Sequence, residues 1–125
     1  MILGIGTDIL ETERMRDAIR RHGERFLNHV FAPDEIGRAP VGAARDAYFA
    51  ARWAAKEAVA KALGTGIGSD CAWTDVTVGR GPAGQPFVDL SGTALNTARR
   101  RGIQTIHISL SHERNFATAM AIAEG

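Results

Sequence analysis

Tyr48-Phe49-Ala50-Ala51-Arg52-Trp53-Ala54-Ala55-Lys56-Glu57-Ala58-Val59-Ala60-Lys61-Ala62-Leu63 decides the fold. The stretch is rich in alanine, the best helix former, and contains neither glycine nor proline. Gly64 follows it, the residue type that most readily closes a helix. One long helix over about residues 43–63 is predicted. From Tyr48 to Leu63 its charges are Arg52, Lys56, Glu57 and Lys61. Arg52 and Lys56 lie within about 40° of each other, as do Glu57 and Lys61, but the two pairs fall on nearly opposite sides. A solvated face would gather its charges into one stripe, so this helix is expected to be covered over most of its circumference, leaving two polar channels. Glu57, beside Trp53 and Ala54, is then a sheltered carboxylate; the alternative is an ordinary surface pair with Lys61, worth about 0.3–0.5 kcal/mol.

Outward toward the N-terminus, residues 2–10 alternate as a strand, with Leu3, Ile5, Thr7 and Ile9 on one face and Gly4, Gly6 and Asp8 on the other. Asp8 either caps the following helix or belongs to a metal site. Glycine beside a carboxylate leaves room for a bulky hydrated ligand, which favours the second use. From Thr12 the pattern turns helical, with Met15, Ala18 and Ile19 as its apolar stripe, and Gly23 interrupts or ends it. Phe26, Leu27, Val30 and Phe31 form an apolar cluster before Ala32-Pro33-Asp34-Glu35, the start of another helical turn. Residues 37–42 read as a loop.

Toward the C-terminus, residues 73–79 and 86–91 read as strands joined by the Arg80–Gln85 turn, and a short helix over about 92–101 carries Arg99, Arg100 and Arg101 at its end. A second hairpin follows, with strands over about 104–111 and 116–123. Its last strand alternates Phe116, Thr118, Met120 and Ile122 with Ala117, Ala119, Ala121 and Ala123, and the alanine face is expected to pack on the long helix. The expectation is an α+β fold, an antiparallel sheet packed on a long Ala-rich helix.

With 125 residues, 45% of them hydrophobic, and no low-complexity run, the chain is expected to form one domain over 1–125. So small a domain leaves much surface exposed, and self-association is a natural way to cover apolar area. A net charge of +1 makes no case for nucleic acid or for an anionic membrane. A single cysteine, Cys71, excludes an intrachain disulfide framework and a multi-cysteine zinc site; we read it as a small buried residue. The apolar opening lacks a basic leader and is far too short to span a bilayer, so the expected location is the cytoplasm.

Two glycine-rich stretches suggest nucleotide loops, and both fail on inspection. Gly4-Ile5-Gly6-Thr7-Asp8-Ile9 has isoleucine where a dinucleotide fingerprint needs its third glycine, and Gly64-Thr65-Gly66-Ile67-Gly68-Ser69 follows a helix instead of opening one. Ile5-Gly6-Thr7-Asp8-Ile9, taken together with Trp53-Ala54-Ala55-Lys56-Glu57-Ala58-Val59-Ala60-Lys61, instead resembles the two signature blocks of phosphopantetheinyl transferases. Order, separation and chain length are similar to the small holo-(acyl-carrier-protein) synthase branch. Gly64-Thr65-Gly66-Ile67-Gly68, Gly84-Gln85-Pro86 and Ile108-Ser109-Leu110-Ser111-His112 extend the resemblance over the whole chain. In one departure, Gln85 stands where the family often has lysine, which leaves Arg80 as the substitute cation.

The resemblance implies a transfer of 4′-phosphopantetheine from coenzyme A to a carrier-protein serine, releasing 3′,5′-ADP. It further implies Asp8 and Glu57 as magnesium ligands, with Lys61 facing the same phosphates. The base for the serine would be Glu57, directly or through a water, or else Asp34 or Glu35. Coenzyme A would be held by Arg52, Lys61, Gly64, Arg80, Pro86, Ser111 and His112, with Arg52 and His112 at the adenosine and 3′-phosphate end. Arg14, Arg21 and Arg25 fall on one stripe if the first helix runs through Gly23, and would dock an acidic acyl carrier protein. The small branch implies a homotrimer with the cleft between neighbouring subunits. A reading from a different class, a binding module that docks an acidic partner without chemistry, is opposed by the intact Asp8, Glu57 and Lys61.

Overall fold

In the computed structural model, which describes residues 1–125, the chain runs β1 (Ile2–Glu11), α1 (Thr12–Val30), α2 (Pro33–Gly37), α3 (Ala44–Ala62), β2 (Val76–Arg80), β3 (Pro86–Leu90), α4 (Gly92–Arg100), β4 (Thr105–His112) and β5 (Phe116–Glu124). The expected single sheet is divided in two: an antiparallel sheet ordered β1-β5-β4, and the β2-β3 hairpin. The strand expected from residue 73 starts at Val76, because Trp73–Asp75 forms a 3₁₀ turn. The Asp75 carboxylate draws this turn in: it accepts from the Ala72 amide (3.2 Å), the Thr93 hydroxyl (2.5 Å) and the Ala94 amide (3.1 Å), tying it to the start of α4. Gly23 breaks α1 with a left-handed φ of 57°, so this element is two helical segments joined at a kink.

Helix α3 lies across the inner face of the three-stranded sheet. Ala117, Ala119, Ala121 and Ala123 of β5 are all buried there, as the alternation predicts. Glycine lets β1 come closer still: a Cβ built on Gly4 would fall on the Ala62 carbonyl oxygen, and one on Gly6 on the Ala58 carbonyl oxygen. The spacings match, since two strand residues advance about 6.6 Å and four helix residues about 6.0 Å. This corrects the reading of Gly4 and Gly6 as room for a hydrated ligand; helix backbone fills that room.

The Arg52 and Lys56 side of α3 is buried as well. Lys56 is fully buried and donates to Glu35 Oε1 (2.7 Å), to the Trp73 carbonyl (3.1 Å) and to the Val76 carbonyl. Glu35, itself 1% exposed, also accepts from the amides of Ala32 (2.8 Å) and Val78 (3.0 Å). Its carboxylate thus joins α2, α3 and β2. By contrast, the outer face of β1 and β5 is largely apolar and open, with Ile5 63% and Ile9 61% exposed beside Met120 and Phe116, while β4 presents Thr105, His107, Ser109 and Ser111 on that side.

Gly6→Ala should destabilise the chain by about 1–3 kcal/mol or more, because the clash is with backbone that cannot rotate away. Gly37→Ala, with nothing within 4 Å of the added carbon, should be close to neutral. Urea unfolding of the two variants checks the contrast.

Candidate functional site

Asp8 projects from β1 toward the flank of α3 that carries Glu57 and Lys61. Lys61 donates to Asp8 Oδ1 (3.1 Å) and to the Thr7 carbonyl (2.9 Å), which leaves Glu57 without an ion pair. The other carboxylate oxygen of Asp8, Oδ2, is buried with no hydrogen-bond partner. Helix capping does not explain Asp8, because the residue that precedes α1 is Glu11 and no side chain caps that end. Burial first, and then the nearby Asp8 charge, raise the Glu57 carboxyl above its ordinary value, with Lys61 opposing them.

Two carboxylates that repel, one lysine and an orphaned buried oxygen form a donor set suited to a hard divalent cation. No third His, Cys, Asp or Glu joins them, so water and substrate oxygens would complete the coordination. Glu35, one of the alternatives for the base, is consumed by Lys56 and two amides deep in the core. Asp34 is exposed on α2.

The remaining candidates gather on the opposite flank. Asp8, Ala119 and Leu110 share one rung across β1, β5 and β4, so Asp8 and Leu110 are two strand spacings apart, about 9.6 Å. Beside Leu110, a cavity of about 480 Å³ is lined by Tyr48, Arg52, Arg80, Ser111 and His112, and no acid lines it. Pro86 shares a smaller neighbouring cavity with Arg80 and Leu110. Gln85 turns back into its own hairpin, where its Oε1 accepts from the Ala83 amide (3.0 Å); Arg80 is the cation the hairpin offers.

Gly64 lies in neither cluster. It closes α3 at φ 84°, and the Arg101 guanidinium occupies the space its Cβ would need. Arg14, Arg21 and Arg25 are exposed and form no ion pair, whereas Arg16 and Arg20 pair with Asp46 and Asp17. The kink at Gly23 places Arg25 on a different helical segment from Arg14 and Arg21, so the three do not form the single stripe expected of a continuous helix. Sequence reasoning missed the Tyr48 ring, which lies 3.7 Å under the Arg52 guanidinium; the i,i+4 spacing of an aromatic and an arginine was the available signal.

The family model of the 4′-phosphopantetheinyl transferase superfamily matches residues 4–121. The chain belongs to this superfamily. It is 52% identical to a holo-[acyl-carrier-protein] synthase of Desulforudis audaxviator, over 100% of this chain and 95% of that protein. Its fold is similar to the crystal structure of the Neisseria meningitidis holo-[acyl-carrier-protein] synthase, with a TM-score of 0.92, 32% identity and all of both chains covered. The Helicobacter pylori holo-[acyl-carrier-protein] synthase, solved in complex with coenzyme A, gives a TM-score of 0.85 and 29% identity, over 96% of this chain and 99% of that one.

In this phosphopantetheinyl transferase the raised Glu57 value has a stability consequence. The folded state holds the Glu57 proton more tightly than the unfolded state, so its contribution is fully present below about pH 4.5 and is lost as pH rises through the folded value. Glu57→Gln, measured without divalent ions, should therefore be more stable than the unaltered chain at neutral pH, with the difference vanishing below about pH 4.5. Thermal melts across that range would show it.

Proposed function

We propose that this chain is a holo-(acyl-carrier-protein) synthase, which transfers 4′-phosphopantetheine from coenzyme A to a serine of an apo-acyl carrier protein and releases 3′,5′-ADP. The observation that carries this reading is the unpartnered buried oxygen of Asp8, set beside Glu57 and Lys61. Asp8 and Glu57 would hold magnesium, which when bound supplies positive charge against the pyrophosphate oxygens. Lys61, already drawn to this flank, adds a second positive charge for the same phosphates. The serine Oγ bonds to the pantetheine-side phosphorus as the bond from that phosphorus to the bridging oxygen of 3′,5′-ADP breaks. The hydroxyl proton passes to Glu57, directly or through a water.

The adenosine and 3′-phosphate end is assigned to the cationic cavity of Arg52, Arg80, Ser111 and His112, and Pro86 extends that wall. Because this cavity and the Asp8 cluster lie on opposite flanks of α3, one coenzyme A molecule meets both most simply between two subunits. The open apolar surface of β1 and β5 supports such an assembly. We assign it as a homotrimer that works in the cytoplasm in fatty-acid synthesis; no helix is long and apolar enough to cross a membrane. Exposed Arg14 and Arg21, with Arg25 beyond the kink, would meet the acidic carrier protein.

Incubation with magnesium, coenzyme A and an apo-carrier protein should release 3′,5′-ADP as the carrier gains the mass of one phosphopantetheine. A carrier left unmodified would refute the assignment. Two inactive variants, Glu57→Gln and His112→Ala, should regain partial activity when mixed and allowed to exchange subunits, since some mixed trimers then contain one intact cleft; the absence of any recovery would place the whole site in one chain. Arg14→Glu should raise the KM for carrier protein more than that for coenzyme A, and the penalty should shrink with salt, because exposed charges are screened over about 8 Å at physiological ionic strength.

A further inference from the structure

Arg52 is 4% exposed, yet no carboxylate neutralises it. Glu35, the acid on the same side of α3, is already bound to Lys56. The Nε of Arg52 is buried and has no hydrogen-bond partner. Arg80 faces the same cavity, so the two cations repel and Arg52 needs something other than an acid to hold it in place.

Tyr48 provides that hold. The Arg52 guanidinium lies over its ring with Cζ 3.7 Å from the centroid, an attraction that leaves the cation's charge intact. The ring in turn is fixed. Its hydroxyl donates to the Glu35 carbonyl (2.5 Å), and the ring packs against Phe49 in a T-shaped arrangement with centroids 5.1 Å apart. Glu35 cannot drift either, since Lys56 and the Ala32 and Val78 amides hold its carboxylate. A continuous set of contacts therefore runs from the buried Lys56–Glu35 pair through Tyr48 to Arg52 at the cavity wall.

We infer that Tyr48 is a positioning residue, holding the Arg52 guanidinium preorganised in the cavity and thereby setting the enzyme's preference for a donor that carries a 3′-phosphate. This rests on the reading of that cavity as the 3′-phosphate end of the coenzyme A site. Preorganisation explains the arrangement. A free arginine would have to be ordered and desolvated at each binding event, whereas this one is ordered by its ring and already desolvated.

The test compares coenzyme A with 3′-dephospho-coenzyme A as donor, measuring kcat and KM for the magnesium-loaded enzyme and for Arg52→Ala, Tyr48→Leu and Tyr48→Phe. Arg52→Ala should raise the KM for coenzyme A by about tenfold or more, with far less change for the dephospho donor. Tyr48→Leu should move the ratio of the two KM values most of the way to that of Arg52→Ala, with KM changing more than kcat. Tyr48→Phe keeps the ring but loses the anchor to Glu35, so its ratio should fall between, and this conservative variant serves if Tyr48→Leu folds poorly. If Arg52→Ala loses the discrimination while both Tyr48 variants retain the unaltered ratio, the positioning role is overturned and the reading of the cavity stands. If Arg52→Ala itself leaves the ratio unchanged, the cavity reading falls and the inference falls with it.

Discussion

The rest of the structure depends on the approach of a bare strand to a bare helix. Gly4 and Gly6 let β1 settle onto the Ala58 and Ala62 turns of α3 at a distance that any Cβ would forbid. That contact places Asp8, the next residue on the same strand face, against the flank of α3 that carries Glu57 and Lys61. Packing at this point also sets the electrostatics. Burial raises Glu57, leaves one Asp8 oxygen without a partner and draws Lys61 onto the other. The polar groups of this flank are thus under strain that a divalent ion and phosphate oxygens would relieve.

The opposite flank of α3 is organised by a different device. A buried lysine and glutamate, hydrogen-bonded to backbone from three elements, fill what would otherwise be a polar channel. Breaking such a pair by removing one partner typically costs about 3–5 kcal/mol, because the charge left behind has nowhere to go. Its value to the site is geometric, since it fixes the surroundings of Tyr48 and Arg52. On the proposed reading, one helix carries both halves of the site on faces that point apart. The outer sheet face, rich in exposed isoleucine and methionine, gives copies of the chain a reason to bring those halves together.

Much of this was legible in the residues. The opposed charge pairs on a glycine-free alanine run announced a helix covered on most sides, and the alanine alternation of β5 announced what covers it. Asp8 and Glu57 were legible as a pair through the resemblance of their two motifs, and Gly64 as the helix stop. What could not be read was set by tertiary contact. Glu35 lies 21 residues from Lys56, and nothing local distinguishes it from an exposed first-turn acid such as Asp34. The glycines of β1 read as space for a ligand, because a strand alone does not reveal that helix backbone will lie over it. Trp73–Asp75 carries a strand-like pattern that the Asp75 hydrogen bonds override. The condition attached to the Arg14, Arg21 and Arg25 stripe turned on a single backbone angle at Gly23.

The central claim is that the glycine-mediated approach of β1 to α3 makes Asp8 and Glu57 one divalent-cation site. Its most direct test is a titration of Mn2+ into the protein in the presence of 3′,5′-ADP, followed by electron paramagnetic resonance. The account predicts one bound ion per chain in the unaltered protein, and loss of that ion in both Asp8→Asn and Glu57→Gln while each remains folded. Binding of unchanged stoichiometry and affinity in either variant would contradict it.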